Sequence, residues 1–250
     1  MEKHILSKST FIRGNQCLKS LYLNKKRPFL RDRISPGQRA KFSRGHKIGD
    51  MAQQLFPGGI DMRPKSPSQY QKRVLEVQHI INTNMHEVIY EVSFQYDQLL
   101  AILDILVKGN DGWTAFEVKS SLGISDTYIL DAAFQYYVIT NSGLQLNDFF
   151  LIHIDPDYEF EGQPEIDKLF KKASVLDEVL KLQEYVKEQA AREKEALKLE
   201  KSPAIEPDGH CIKPYPCDFM GHCWKKIPLE QRPQVSYGSE KFYDFLKKIQ

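Results

Sequence analysis

The sequence predicts an α/β fold, a small mixed sheet flanked by helices, and three observations carry that prediction. Three β-like runs follow closely on one another: HEVIYEVSFQY (86–96), LLAILDILVKG (99–109) and GWTAFEVKSS (112–121). They are parted by Asp97-Gln98 and by Gly109-Asn110-Asp111-Gly112, the latter a strong hairpin signal. A helix over Asp126–Asn141 and a buried strand, DFFLIHI, come next, and three strands, a helix and a further strand make an α/β core over 86–155.

The flanking elements follow from periodicity and punctuation. In STFIRGNQCLKSLYLNKKRP, Phe11, Cys17 or Leu18, Leu21 and Leu23 fall near helical spacing, with Ser9 or Thr10 as caps and Pro28 as the stop. Cys17 is expected inside that short helix. Ser35-Pro36 opens a second helix, which ends before Pro57-Gly58-Gly59 and carries His46 near its middle. Residues 1–60 thus form a helical N-terminal segment, followed by a Pro- and Ser-containing loop and a helix-like KRVLEVQHIINTN. Residues 164–200 read as one long charged helix within 160–202, with an apolar stripe at Ile166, Leu169, Phe170, Leu176 and Leu180. A cysteine loop (206–226) and a short aromatic helix (238–250) close the chain.

At 250 residues the chain can hold one large domain or two small ones. Hydrophobic content of 41% and charged content of 27% are ordinary for a globular protein, and no apolar run approaches the roughly 20 residues that cross a bilayer. The first residues lack the apolar core of a secretory signal, so a cytoplasmic location without a membrane partner is expected. Net charge is only +2, but Lys8 to Lys47 holds twelve Lys or Arg and one acid, Asp32. That excess suits phosphate contacts, or equally a basic face balancing acids elsewhere.

Two constellations carry chemistry. The segment HCIKPYPCDFMGHCW (210–224) places Cys211, Cys217 and Cys223 within thirteen positions, and the fourth cysteine, Cys17, lies far upstream. In a reducing compartment such thiols are ligands more often than disulfides, and four thiolates suit an iron–sulfur cluster or a structural zinc. His210 and His222 adjoin two of them and keep Zn²⁺ as the rival. Either metal would clasp the two ends of the chain into one domain (1–250), with Trp224, Tyr215 and Phe219 as its apolar shield.

In FEVK, Glu117 and Lys119 are two apart and share one face of a strand, with Phe116 and Val118 turned into the core. Asp104 lies across the hairpin between Leu103 and Ile105, a lone carboxylate on a core-like strand that needs a partner or a cation. Asp and Glu converging from adjacent strands offer hard oxygens for Mg²⁺ or Mn²⁺, and a nearby Lys can orient a water or offset phosphate charge. The bland alternative is a cross-strand Asp–Lys or Glu–Lys pair. Glu91 on the preceding strand is either a supporting carboxylate or a solvent-facing residue.

An acid on one strand followed by E-x-K on the next resembles the PD-(D/E)XK nuclease superfamily. With one N-terminal and three C-terminal cysteines, the chain is similar over nearly its whole length to the RecB-like, iron–sulfur branch, which includes CRISPR-associated adaptation nucleases and AddB-type nuclease domains. An uncharacterised bacterial family of that branch is the nearest likeness. The resemblance implies a restriction-endonuclease-like core. It implies that Asp104, Glu117, the Val118 carbonyl and His46 bind the catalytic Mg²⁺ or Mn²⁺, that Lys119 activates or positions water, and that Cys17, Cys211, Cys217 and Cys223 hold a [4Fe–4S] cluster. Gln135 matches the glutamine such enzymes carry on the next helix. The expected tyrosine position four residues later is Ile139, leaving Tyr136 or Tyr137 for that role, and both cysteine gaps hold five residues where the adaptation nucleases have C-x₂-C. Gln135 can also belong to a buried polar network with Asp131, one turn earlier.

The expected activity is metal-dependent hydrolysis of DNA, single-stranded or with free ends. A second reading is a non-catalytic nucleic-acid-binding or assembly subunit with the same fold, against which the intact trio Asp104, Glu117 and Lys119 weighs. A third is a zinc-stabilised interaction module.

Overall fold

The computed structural model describes residues 4–34, 36–159 and 162–232, so the helix expected at 238–250 lies outside the described residues. It is a mixed α/β structure with a seven-stranded mixed sheet flanked by helices. Six strands run in the order β2 (Ile60–Asp61), β3 (Val88–Tyr96), β4 (Leu99–Gly109), β5 (Gly112–Lys119), β6 (Leu146–Ile154), β7 (Phe170–Ser174). The seventh, β1 (Leu6–Ser7), pairs in parallel with the start of β4. The expected hairpins are present, since β3, β4 and β5 are successively antiparallel, and β6 then pairs in parallel with β5. Helix α5 (Asp126–Asn141) makes that parallel crossover.

Both faces of the sheet are covered. The main core joins Trp113, Ala115, Leu103, Phe149 and Leu151 to Phe11 of α1 (Lys8–Gln16) and to Leu130, Phe134 and Val138 of α5. A second core on the other face joins Ile105, Phe116 and Ile152 to Ile48 and Ala52 of α3 (Pro36–Ala52). Helix α2 (Leu18–Lys26) follows α1, and α4 (Tyr70–Thr83) packs on β3 through Val77 and Ile80.

Two expectations are corrected. Residues 164–200 are not one helix. They form α6 (Ile166–Leu169), β7, α7 (Leu176–Lys181) and α8 (Gln183–Lys198). Leu169 and Phe170 are buried in the second core while FKKAS hydrogen-bonds to the free edge of β6, so tertiary pairing overrides a helical spacing of apolar residues, and Leu180 is left largely exposed. Nor does Cys17 sit inside a helix. Its extended backbone (φ −164°, ψ 114°) separates α1 from α2, closing the one and opening the other.

The edge of β4 that faces β5 is shared. Leu99 and Leu100 pair with Leu6 and Ser7 of β1, and pairing resumes with β5 only at Ile105–Phe116. Between them the strands part. One end of the opening is the first residue of α1, Lys8, and the other is the last turn of β5, Glu117 to Lys119.

Candidate functional site

Asp104 lies at this parting, immediately before the first β4–β5 pair. Its Oδ2 accepts the backbone N–H of Val118 at 2.7 Å, so a side chain replaces the ladder bond that the diverging strands no longer make. The opening also sits where strand alternation slips. Along β4, Leu99, Ala101 and Leu103 join the main core, but Ile105 and Val107 join the second and Leu106 the first. Along β3, Val88 and Tyr90 join the second core, and Val92 and Phe94 the main one. A strict period of two would keep each set on one face. The reversal falls at Asp104 and at Glu91, whose backbone has φ +54°.

Glu117, only 2% exposed, receives two ammonium groups on one oxygen: Lys119 Nζ lies 2.8 Å and Lys8 Nζ 2.6 Å from Oε1. Its Oε2 is buried with no hydrogen-bond partner among the described residues. Lys119 also donates to Asp131 Oδ2 on α5 and lies 5.3 Å from the ring centre of Tyr128, two turns of backbone away from Gln135 on the same helix. Gln135 is completely buried, and both atoms of its amide lack a partner among the described residues. The alternative, a buried polar network joining Gln135 to Asp131, does not form among the described residues: Asp131 serves Lys119.

The charges bias one another strongly. Burial, and then the negative charge of Glu117, push the Asp104 carboxyl up to about 8. Burial acts the same way on Glu117, but Lys119 and Lys8 outweigh it and hold that carboxyl down at about 2. For Lys119 burial favours the neutral amine, yet Asp131 and Glu117 more than offset this and raise its pKa, so it is an ammonium at neutral pH. Such a group orients and neutralises; it does not take a proton from water. Burial raises the Glu91 carboxyl against the opposing pull of Arg63, whose Nη2 lies 2.9 Å from its Oε1.

Of the remaining expected ligands, Val118 is fixed through the amide that Asp104 accepts. His46 is on the exposed side of α3; that helix packs over β5, with Gly45 beside Ser120. Among the described residues no three His, Cys, Asp or Glu side chains converge tightly enough to hold an ion as they stand. The donor set nonetheless suits a hard divalent cation, which keeps several waters and needs one or two carboxylates, because Glu117 presents an unpartnered oxygen beside the acid Asp104.

The four cysteines are free thiols, and all four line one cavity of about 280 Å³ including its mouth, together with His210 and Phe219. The pKa values of the Cys217 and Cys223 thiols are raised, first by burial and also by their crowding against the other cysteines. The loop is pinned to the N-terminal helices by protein contacts as well. Gln16 Nε2 donates to the carbonyls of His210 (2.7 Å) and Tyr215 (2.6 Å), and Asp218 accepts from Arg13 and Arg31, each at 2.6 Å. Phe219 is buried with Tyr22 and Leu23 against Cys217 and Cys223, and Trp224 is also buried. Tyr215 instead meets Tyr128 of α5, which links the thiol loop to the ring beside Lys119.

Part of the basic excess in 8–47 is therefore committed to partners within the protein, through Lys8, Arg13, Arg31 and Lys19, whose Nζ donates to the Ile205 carbonyl. Lys25 and Lys26 line a broad open groove with Lys187 and Lys194 of α8 and the edge-on ring pair Tyr96–Tyr137. Tyr137 thus faces this groove, not the carboxylates. Sequence reasoning passed over Lys8, Tyr128 and the role of Asp131. Asp131 had a signal, a lone charge among Leu130, Ala132, Ala133 and Phe134; Lys8 had none, being 109 residues from its partner.

No helix among the described residues is long and apolar enough to cross a membrane. No family model matches this chain, and no curated protein does. Among solved structures, the crystal structure of SSO0001 aligns over 93% of this chain and 89% of that one, with 11% identity and a TM-score of 0.37, a likeness that assigns neither a family nor an activity.

Proposed function

We propose that the chain is a divalent-metal-dependent deoxyribonuclease with a restriction-endonuclease-like core of the RecB-like, iron–sulfur kind, acting in the cytoplasm on DNA that is single-stranded or has free ends. The observation that supports this best is the opening between β4 and β5, where Asp104, Glu117 and Lys119 meet and Glu117 keeps an unpartnered buried oxygen. Asp104 and Glu117, with the Val118 carbonyl and with His46 from α3, would hold Mg²⁺ or Mn²⁺. Such a cation lowers the pKa of a bound water and stabilises charge building on the phosphate. Lys119, kept protonated between Glu117 and Asp131, orients that water and faces the phosphate as a fixed positive charge. Gln135, buried and unpaired, offers its amide to the water or the phosphate. Lys25, Lys26 and the tyrosine-lined groove supply a surface for the DNA backbone and its bases.

In the same reading Cys17, Cys211, Cys217 and Cys223 hold a [4Fe–4S] cluster that fastens the ends of the chain. The shared cavity and the free thiols support a metal there, and Zn²⁺ is the alternative. Brown colour and iron content separate the two.

The test is cleavage of end-labelled single- and double-stranded DNA by anaerobically purified protein, with Mg²⁺ or Mn²⁺ and with EDTA, beside Asp104→Ala and Lys119→Ala. Metal-dependent cleavage lost in both variants supports the reading, and product lengths give polarity. One observation favours a second reading, a non-catalytic nucleic-acid-binding or assembly subunit: two lysines already neutralise Glu117. Folded, brown protein that binds DNA and cuts none of these substrates would establish it.

A further inference from the structure

Glu117 carries one more cation than a simple E-x-K pair needs, and the extra one, Lys8, arrives by design of the chain. Ser7 is held by the β1–β4 pairing, and its amide donates to Thr10 Oγ1 at 2.7 Å, capping α1 at the residue before Lys8. Two independent anchors thus deliver the Lys8 ammonium to Glu117 Oε1. Lys119 has a second carboxylate, Asp131, to fall back on; among the described residues Lys8 bonds Glu117 alone, and Glu91 on the neighbouring strand is occupied by Arg63.

We propose that Lys8 is a displaceable counter-cation and phosphate ligand: its ammonium holds Glu117 in the metal-free site, yields that oxygen to a divalent cation, and then binds a non-bridging oxygen of the DNA phosphate. The inference rests on the nuclease reading. Charge supports it. Glu117 and Asp131 balance the two ammonium groups of Lys8 and Lys119; a divalent cation, bound with Asp104 ionised, leaves an excess of positive charge, and the lysine without a second carboxylate is the one released. A phosphodiester entering the opening restores neutrality, with Lys8 already beside it. Lys8 is about one-quarter exposed, so its head can swing without unpacking α1.

The experiment measures Mn²⁺ affinity by the electron paramagnetic resonance of the free ion, alongside DNA cleavage, for wild type, Lys8→Gln and Lys8→Arg. Lys8→Gln should bind Mn²⁺ about tenfold more tightly and cleave at least tenfold more slowly, opposite movements that a merely structural lysine would not produce. Lys8→Arg keeps the charge and the helix start, and should bind Mn²⁺ no more tightly than wild type. Unchanged or weaker Mn²⁺ binding by Lys8→Gln, or tighter binding by Lys8→Arg, in a protein that still cleaves with Mn²⁺, overturns the role of Lys8 and leaves the nuclease reading standing. A wild type that neither binds Mn²⁺ nor cleaves overturns both.

Discussion

Asp104 stands opposite Glu91 at the level where β4 and β3 both reverse which face of the sheet their residues meet. Tyr90 pairs with Ile105 and Val92 with Leu103, leaving these two acids as the unmatched step between them. A left-handed backbone at a glutamate in mid-strand costs on the order of 1–3 kcal/mol and persists only where the surroundings enforce it. Here Arg63 holds the Glu91 carboxylate and Asp104 is tied to Val118, so the kink is fixed from both sides. The consequence is an acid aimed into the space between β4 and β5, where a regular strand would have continued the ladder.

The electrostatics of that acid predict a pH dependence. Asp104 binds its proton more tightly folded than unfolded, so it contributes stability at low pH that is lost as pH rises from its ordinary value near 3.8 towards about 8. Glu117 has the opposite sign, and its contribution disappears only as pH falls towards about 2. Metal-free protein should therefore lose several degrees of melting temperature between about pH 5 and 8. Asp104→Asn should remove part of that slope, the buried Glu193 of α8 contributing with the same sign, and Mn²⁺ added at the upper end should restore stability to wild type but not to the variant.

Lys119 and Asp131 should be separable by kinetics. Asp131→Asn leaves Lys119 its bond to Glu117 but loosens its position; loss of such an orienting partner typically costs 10–100-fold in activity, with little change in fold. Lys119→Met removes the cation from between two buried carboxylates and should destabilise the protein by about 3–5 kcal/mol as well as abolish cleavage. Melting curves beside cleavage rates distinguish the two, and equal destabilisation by both variants would remove Asp131 from the positioning role.

The centre of the sheet was legible in the sequence because β3, β4, β5 and β6 are long and apolar, the first three parted by turn residues and the last by a helix, and because E-x-K with an acid across a hairpin is a local pattern. The two-residue strands β1 and β2 have no period to detect. Residues 166–181 misled because Leu169 and Phe170 satisfy a helical stripe and a strand edge equally well, and only the open edge of β6 chooses between them. Lys8 was hidden for a different reason: its partner is set by the pairing of Leu6 with Leu99, a contact between chain segments that no spacing rule joins.

The thiol loop should govern the site as well as the termini. On the proposed cluster, Cys211→Ser or Cys17→Ser should yield colourless protein with lowered iron, and limited proteolysis should then cut within 205–224. Because Tyr215 meets Tyr128 beside Lys119, cleavage should fall in these variants even when the protein remains folded. Tyr215→Ala in protein that keeps its iron isolates that route; unchanged cleavage in it would confine the clasp to stability.

Gly14 and Glu193 meet in the packing that holds α1 in place. A β-carbon at Gly14 would collide with the Glu193 side chain of α8, which is fully buried with its Oε1 accepting from Gln189 at 2.9 Å and its Oε2 unpartnered among the described residues. Gly14→Ala should cost about 1–3 kcal/mol by overpacking. Burial pushes the Glu193 carboxyl up to about 9, so its proton must be lost to ionise, and folding stability declines as pH rises from its ordinary value near 4.5 towards 9. Glu193→Gln, which supplies a neutral amide in the same shape, should raise the melting temperature at pH 8 and change it far less at pH 5. Since α1 carries Lys8 at one end and leads into Cys17 at the other, Gly14→Ala should also weaken both the carboxylate site and the thiol clasp. The double variant Gly14→Ala, Glu193→Ala, which relieves the clash, should recover part of each loss; its failure to do so would mean that the two helices are held apart by something other than this contact.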